Sequence, residues 1–577
     1  MNIKQRISEK IQKSILNLGI PTKYLNKIYL TSHAKIGHYQ INGIVNISQK
    51  LKINALKLSE KIIKELKKEN FYNKMNISSP GFINIFLKQE WLSNKLEELI
   101  TCSRLKISKQ EPKKIIIDYS SPNMAKEMHV GHLRSTIIGD VMARTMEFLN
   151  HNVMRVNHIG DWGSQFGMII AYFKKDYKNY KSINPSLKKI ETIYQKSKKM
   201  YENYQLFKDL SKKCLVDLQN NDKNCISIWK DIIHKTIKNN EQIYQTLNVT
   251  LKNKHILGES FYIRFIPNMI EELKSKNIAT QHQGKIIIYL NEIKNKKGKP
   301  MGVTIQKKDT RFLYSTIDLA CLKYRVKELK ADRIIYYTDT RQKQHLQQIK
   351  IISEKAGYIS KKCTLEHHAF GMILSKDKRP FKTRDGKLIK LKKLIEKSIN
   401  KAKTIIKIKN PHFNNKKILK LSKIIGISAI KYSDLSRKRE TNYIFDWKNM
   451  LSFDGNTAPY IQYTYTRIYS IIKKSKLKTE QIKGKIVLNK EIEIKLSIKL
   501  LQFEEIILEI SKKGNPHILC TYLFKLASIF CKFYEKYPII FAKKISIRNS
   551  RLKLSILTSR IIKKGLNILG IQTLKYM

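Results

Sequence analysis

The run Lys114-Ile-Ile-Ile-Asp118 constrains the fold of this chain more than any other stretch. It is short and apolar without alternation, the pattern of a parallel strand covered on both faces. A loop follows, and then a helical pattern from about 129 to 149. Strand, loop and helix in that order open a doubly wound nucleotide-binding fold. Strand-like runs return at Lys285-Ile-Ile-Ile-Tyr-Leu290 and Arg333-Ile-Ile-Tyr-Tyr337, which predicts a parallel sheet split by an insertion. The insertion, from about 172 to 250, is helical, polar and rich in Lys and Tyr. Its residues Tyr177, Tyr180, Tyr194, Tyr201 and Tyr204 read as the half-buried face of a helical hairpin.

The flanks read differently. Residues 1 to about 110 form a separate α/β unit, with helical patterns at 4–18 and 55–68 and a Pro80-Gly81 break before the strand-like Phe82-Ile-Asn-Ile-Phe-Leu87. A polar link, Ser108-Lys-Gln-Glu-Pro112, separates it from the central strand. After about 387 the pattern is almost wholly helical, and the end reads as an all-α bundle. The expected plan is multidomain α/β: an N-terminal α/β domain over 1–110, a doubly wound parallel-sheet (Rossmann-type) core with its inserted helical segment over 111–455, and an all-α domain over 456–577.

Composition bears on partners and compartment. The 113 Lys+Arg against 46 Asp+Glu give a net charge of +67, which would attract any polyanion. The excess is spread over the whole chain beside many Ile, Asn and Tyr, as AT-rich codon drift would produce, so it permits an RNA partner without proving one. No apolar run approaches the ~20 residues of a membrane span, and the start lacks a signal peptide's apolar block. The seven cysteines, at 102, 214, 225, 321, 363, 520 and 531, form no CxxC pair and suit reduced thiols. A cytoplasmic protein is expected. Cys363, His367 and His368 lack a fourth ligand at a familiar zinc spacing, so no structural metal is expected.

The chemistry is carried by Ser120-Ser-Pro-Asn-Met-Ala-Lys-Glu-Met-His-Val-Gly-His-Leu-Arg134, directly after the buried strand. His129 and His132 are three apart and share a face at a helix start. A helix N-terminus presents free N–H groups and a positive dipole end, so two imidazoles there make a site for a triphosphate. Gly131 between them removes a side chain where a base or ribose would approach. Standing alone, such an HxGH match means little. Its place after strand and loop gives it weight.

HVGH resembles the HIGH signature of class I aminoacyl-tRNA synthetases, and the extended SSPNMAKEMHVGHLRS is similar to the arginyl-tRNA synthetase family in particular. Asp161-Trp-Gly-Ser-Gln-Phe-Gly167, Gly258-Glu-Ser260, Tyr314-Ser-Thr-Ile-Asp318 and Asp339-Thr-Arg-Gln342 resemble further family blocks, in order. So do Phe445-Asp-Trp447, Gly455-Asn-Thr-Ala-Pro-Tyr-Ile-Gln-Tyr463 and the closing Leu569-Gly-Ile-Gln-Thr-Leu-Lys-Tyr-Met577. The resemblance covers nearly the whole chain. It implies ATP-dependent charging of an arginine tRNA with L-arginine through an arginyl-adenylate, with Mg2+ accompanying ATP as co-substrate. A monomer is the default expectation, and the hydropathy predicts no membrane partner.

By the same resemblance His129, His132 and Lys126 are the expected catalytic residues, with Gly131 at the nucleotide. The family's second signature, KMSKS, is present in altered form as Lys378-Arg-Pro-Phe-Lys-Thr-Arg-Asp-Gly386. Lys382 and Arg384 of that stretch are expected to reach the phosphates of ATP, with Lys126 supplying charge that the loop does not. The arginine guanidinium is a planar fork best satisfied by carboxylates in bidentate geometry. Glu259 and Asp318 match the pocket acids, Tyr314 covers the stem or fork, and Asn123 and Gln342 hold the polar groups of the amino acid. The helix carrying Tyr460, Tyr463, Tyr465, Arg467 and Tyr469 suits unstacked anticodon bases. Three rival readings stand: another class I branch, a non-catalytic RNA-binding relative, and a simple adenylyltransferase. The Asn123 lead-in, the pair of histidines with both pocket acids, and the all-α tail argue against each in turn.

Overall fold

In the computed structural model of the chain the described residues are 2–31, 36–176, 184–295, 297–308, 312–360, 362–375, 377 and 389–577. At the centre, Lys114–Asp118 is one of four parallel strands. Asn152–Val156 lies on one side of it; Arg333–Tyr336 and then Thr364–His367 lie on the other. The chain order therefore reverses at Lys114–Asp118, and Asp118 stands level with Tyr336. A doubly wound sheet opens its ligand crevice at that point, beyond the carboxyl ends of the strands. The helix Leu133–Phe148 follows the first strand and is buried along nearly its whole length. It lies close because Gly139 has no Cβ: one built there would stand 2.3 Å from Cβ and Cγ of Tyr119.

The insertion holds the helices Leu187–Asn203, Gln205–Gln219 and Lys223–Thr246, over a core of its own around Phe166, Ile190, Cys214 and Ile232. Tyr177 and Tyr180 lie outside the described residues. The run at Lys285 departs from expectation. Lys285–Lys294 is not in the parallel sheet; it is the middle strand of an antiparallel three-stranded sheet with Thr280–His282 and Pro300–Gln306. Gly284 at φ +74° turns the chain straight back, so the apolar run pairs with its sequence neighbours before it can reach the central sheet.

The N-terminal unit is a four-stranded antiparallel sheet with helices including Ile3–Asn17 and Ala55–Leu66. The C-terminal part is helical: Ala458–Lys474, Glu491–Leu501, Phe503–Lys513, His517–Lys536 and Ile545–Ile568. Its first helix begins where the Thr457 side chain accepts from the Tyr460 N–H, with Pro459 in the first turn. The two ends of the chain meet. Glu97 pairs with Lys553 at 2.8 Å, the Tyr39 hydroxyl donates to Glu505 at 2.7 Å, and one hydrophobic core runs from Ile3 through Ile137 to Leu574. Among the described residues no helix is long and apolar enough to cross a membrane.

Candidate active site

Between the central strand and the signature helix the backbone is forced. Ser120, Ser121 and Ala125 have φ of 74°, 43° and 63°, the left-handed region that side chains rarely occupy. Hydrogen bonds over-determine the turn. The Ser120 N–H donates to Ser135 Oγ at 2.9 Å, and its hydroxyl meets Thr136 Oγ1 and the Tyr244 hydroxyl at 2.9 and 2.8 Å. The Ser121 N–H donates to Asn157 Oδ1 and its hydroxyl to Asp118 Oδ1, both at 3.0 Å. The paired serines thus aim the chain at the crevice, and Asn123 bridges to Gly160 beside it.

His129 caps a single 3-10 turn, Val130–His132, that runs into the signature helix. Its Nδ1 accepts from the Gly131 N–H at 3.1 Å, and Nδ1 of His132 accepts from the His129 N–H at 3.1 Å. With both Nδ1 atoms accepting, the proton of each neutral ring sits on Nε2. The rings lie 3.9 Å apart. Burial first, then the nearby Lys126 charge, lowers the pKa of His129. Burial and then His129 bring His132 down to about 3. Both are therefore neutral N–H donors at pH 7. Gly131 has a further role beyond access: a Cβ there would stand 2.9 Å from the His129 ring and disturb its cap.

A cavity of about 730 Å³ opens in front of this turn. Eight of the expected site residues line it: Asn123, His129, Gly131, His132, Glu259, Tyr314, Asp318 and Gln342. Lys126 does not line it; its ammonium sits 4.5 Å above the Tyr194 ring of the insertion, and burial lowers its pKa. Lys382 and Arg384 lie outside the described residues. The chain that follows them is fastened to the signature turn: the Val130 N–H donates to Ile389 O and the Leu391 N–H to Met128 O, both at 2.9 Å. Lys390 between those bonds pairs with Glu127 and with Glu191.

Two acids, Glu259 and Asp318, share the cavity wall with the histidines. Glu259 opens the short helix Glu259–Tyr262, held by Asp161: the Ser260 N–H and hydroxyl donate to its two oxygens at 2.9 and 2.7 Å. A Cβ on Gly258 would strike that carboxylate, which ties the Asp161 block to the Gly258-Glu-Ser260 block. Burial, then the charges of Asp318 and Asp161, push the Glu259 pKa up to about 8. For Asp318, burial opposes ionisation, but the His345 hydrogen bond and the fields of His158, His345 and Arg325 prevail and hold it below the usual range. Asp118 in the cavity wall forms a buried pair with Arg325 at 2.6 Å.

His158, Arg341 and His345 also line the cavity, and sequence reasoning passed over them as site residues. His345 left a readable signal: it stands three residues after Gln342, at a helix start, the spacing of His129 and His132. Arg325 left none, because only the packing of its helix onto the sheet brings it to Asp118. His367 and His368 are engaged by Thr338 and by Tyr337 and Glu366. Among the described residues no three His, Cys, Asp or Glu side chains stand together to hold a metal.

Residues 95–447 match the family described as tRNA synthetases class I (R), catalytic domain. Residues 461–577 match the DALR anticodon binding domain, and residues 1–87 the arginyl tRNA synthetase N terminal domain. The sequence is 55% identical over 582 residues to an arginine–tRNA ligase of Buchnera aphidicola subsp. Schizaphis graminum, covering 100% of both chains. It is 45% identical over 577 residues to an arginine–tRNA ligase of Pectobacterium atrosepticum, again covering 100% of both. Among solved structures it resembles an arginyl-tRNA synthetase from Plasmodium falciparum, with a TM-score of 0.87, 32% identity, and 100% of this chain and 99% of that one covered.

Proposed function

The chain belongs to the class I arginyl-tRNA synthetase family, and from that premise we propose how it works as an arginine–tRNA ligase. Arginine binds with its guanidinium between Glu259 and Asp318, its stem against Tyr314, and its polar head at Asn123 and Gln342. ATP, taken with Mg2+ on its phosphates as co-substrate, lies against Gly131. The arginine carboxylate attacks the α-phosphate, an arginyl-adenylate forms, and pyrophosphate leaves. A terminal ribose hydroxyl of the tRNA then takes the acyl group and AMP departs. The first step gains mainly from positioning and from donors aimed at developing charge. His129 and His132 supply two neutral Nε2–H donors, held ready by backbone bonds to their other nitrogens. Lys126, Lys382 and Arg384 add positive charge towards the phosphates.

The observation that carries this reading is one cavity lined by both the paired histidines and the two acids. We assign 1–110 to a tRNA-contacting domain, 111–455 to catalysis and 456–577 to the anticodon, in a cytoplasmic monomer. On the anticodon side the half-exposed Tyr463 and Tyr534 flank Arg467, whose guanidinium lies 4.9 and 5.2 Å from their rings. Such a surface stacks unpaired bases. The test is ATP–pyrophosphate exchange against each of the twenty amino acids, with and without bulk tRNA. Exchange with arginine alone, appearing or rising with tRNA, is expected. Exchange with a different amino acid overturns the pocket, and silence with tRNA still bound points to a non-catalytic RNA-binding relative.

A further inference from the structure

Asp318 has company that its proposed role does not require. It sits on the helix Tyr314–Lys327, and His345 reaches it from the next helix, Lys343–Lys355. His345 Nε2 lies 2.6 Å from Asp318 Oδ2. A carboxylate that is ionised can only accept, so the imidazole donates from Nε2, and a bond this short to a charged acceptor is a strong one. The His345 ring is nearly buried and lies 4.7 Å from the Tyr314 ring, so three side chains fix one another. On the far side, His158 Nε2 stands 3.6 Å from Asp318 Oδ1, beyond hydrogen-bond length. The other His158 nitrogen, Nδ1, is 3.1 Å from the Leu257 carbonyl, which accepts only, so that ring is held from behind. Among the described residues Oδ2 is therefore engaged, and no hydrogen bond takes Oδ1.

We infer that His345 is a positioning residue that makes Asp318 a one-oxygen acceptor for the guanidinium of the substrate, an inference that rests on the arginine pocket proposed above. With both oxygens free, an aspartate closes a side-on fork with a guanidinium by itself. With Oδ2 occupied, Asp318 presents a single fixed edge, and the second edge of the fork falls to Glu259 across the same cavity. Recognition is split between two acids on separate elements. A lysine ammonium can meet one such edge, but it has no planar fork to span both. His345 then determines specificity through Asp318: it sets the direction of the Asp318 edge.

The test is steady-state ATP–pyrophosphate exchange with tRNA present, reading KM for arginine and for ATP separately. His345→Leu removes the donor and is expected to raise KM for arginine tenfold or more, with KM for ATP within twofold of the parent. His345→Gln carries an amide nitrogen to nearly the place of Nε2 and restores most of the affinity, whereas the shorter His345→Asn does not. In an Asp318→Ala background, which leaves no side-chain acceptor, adding His345→Leu changes KM for arginine less than twofold, because the carboxylate that His345 directs has gone. Equal KM values for the Gln and Asn variants, or full additivity in the double variant, overturn the inference. Should the Leu variant not fold, the Gln and Asn pair decides alone. Asp318→Asn with an unchanged KM for arginine overturns the pocket itself; a weakened Asp318→Asn beside a neutral His345→Leu overturns only the role of His345.

Discussion

His132 and Glu259 show how burial, more than residue type, sets what a side chain does here. Burial and its neighbour hold His132 neutral down to about pH 3, so its contribution is an N–H donor and not a proton. His132→Ala should lower the single-turnover rate of adenylate formation by ~10²–10³-fold, the range for losing one donor to transition-state charge. KM for arginine should move by no more than about threefold on the same scale. Glu259 runs the opposite way. With its pKa near 8 in the empty pocket, it carries a proton at neutral pH, and a guanidinium can pair with it only once that proton leaves. Raising pH towards 8 depopulates the protonated form, so KM for arginine should fall by up to tenfold per pH unit below 8 and level off above it. Glu259→Gln should bind arginine more weakly and lose that slope. Exchange kinetics across the pH range measure both.

The signature helix is the element on which the catalytic turn depends, and it is clamped on several faces. Arg134 is buried, with its Nε 3.1 Å from Asp434 and its Nη1 donating to the Gly371 and Thr441 carbonyls at 2.8 and 2.9 Å. Asp140 and Arg144 tie the next turns to Thr250 and Asn248. Close approach to the sheet depends on Gly139. In Gly139→Ala the added methyl would overlap Tyr119, a residue joined to the central strand, and neither backbone can move freely. Destabilisation of ~1–3 kcal/mol is expected in chemical denaturation, the usual cost of overpacking. The helix displacement should lower kcat more than it raises either KM. The sequence showed this helix, because strand, loop and helix are adjacent in the chain. It did not show the clamps, because Asp434 is 300 residues away from Arg134.

Across the whole molecule, Lys431 joins parts that the sequence keeps far apart. It is fully buried on the helix Asn415–Leu435, and its ammonium donates to the Leu247 carbonyl at 2.7 Å and the Gly570 carbonyl at 2.9 Å. Gly570, at φ +66°, leaves the room that this contact needs. Lys431→Met should strand both carbonyls and cost ~1–3 kcal/mol. A pH signature separates this from lost packing. Burial lowers the Lys431 pKa from 10.5 to about 7, so between those values the unfolded chain binds more protons than the folded one. Stability of the parent should therefore rise with pH across that window relative to Lys431→Met. Parallel denaturation series at pH 7 and pH 9.5 give the comparison.

The sequence by itself determined the family, the order of parts and eight residues of the cavity wall, because these rest on local order: a buried strand, the loop after it, two histidines three apart at a helix start. It misplaced the strand at Lys285, since an apolar run does not reveal which edge it will pair with. It also could not show that Asp161 supports Glu259, that His345 occupies one oxygen of Asp318, or that the N-terminal sheet rests on the C-terminal helices. Those were decided by tertiary structure alone. A hydrogen bond is set by angstroms between atoms that a sequence separates by tens or hundreds of residues. A shifted pKa is set by the desolvation and charge that such packing brings together.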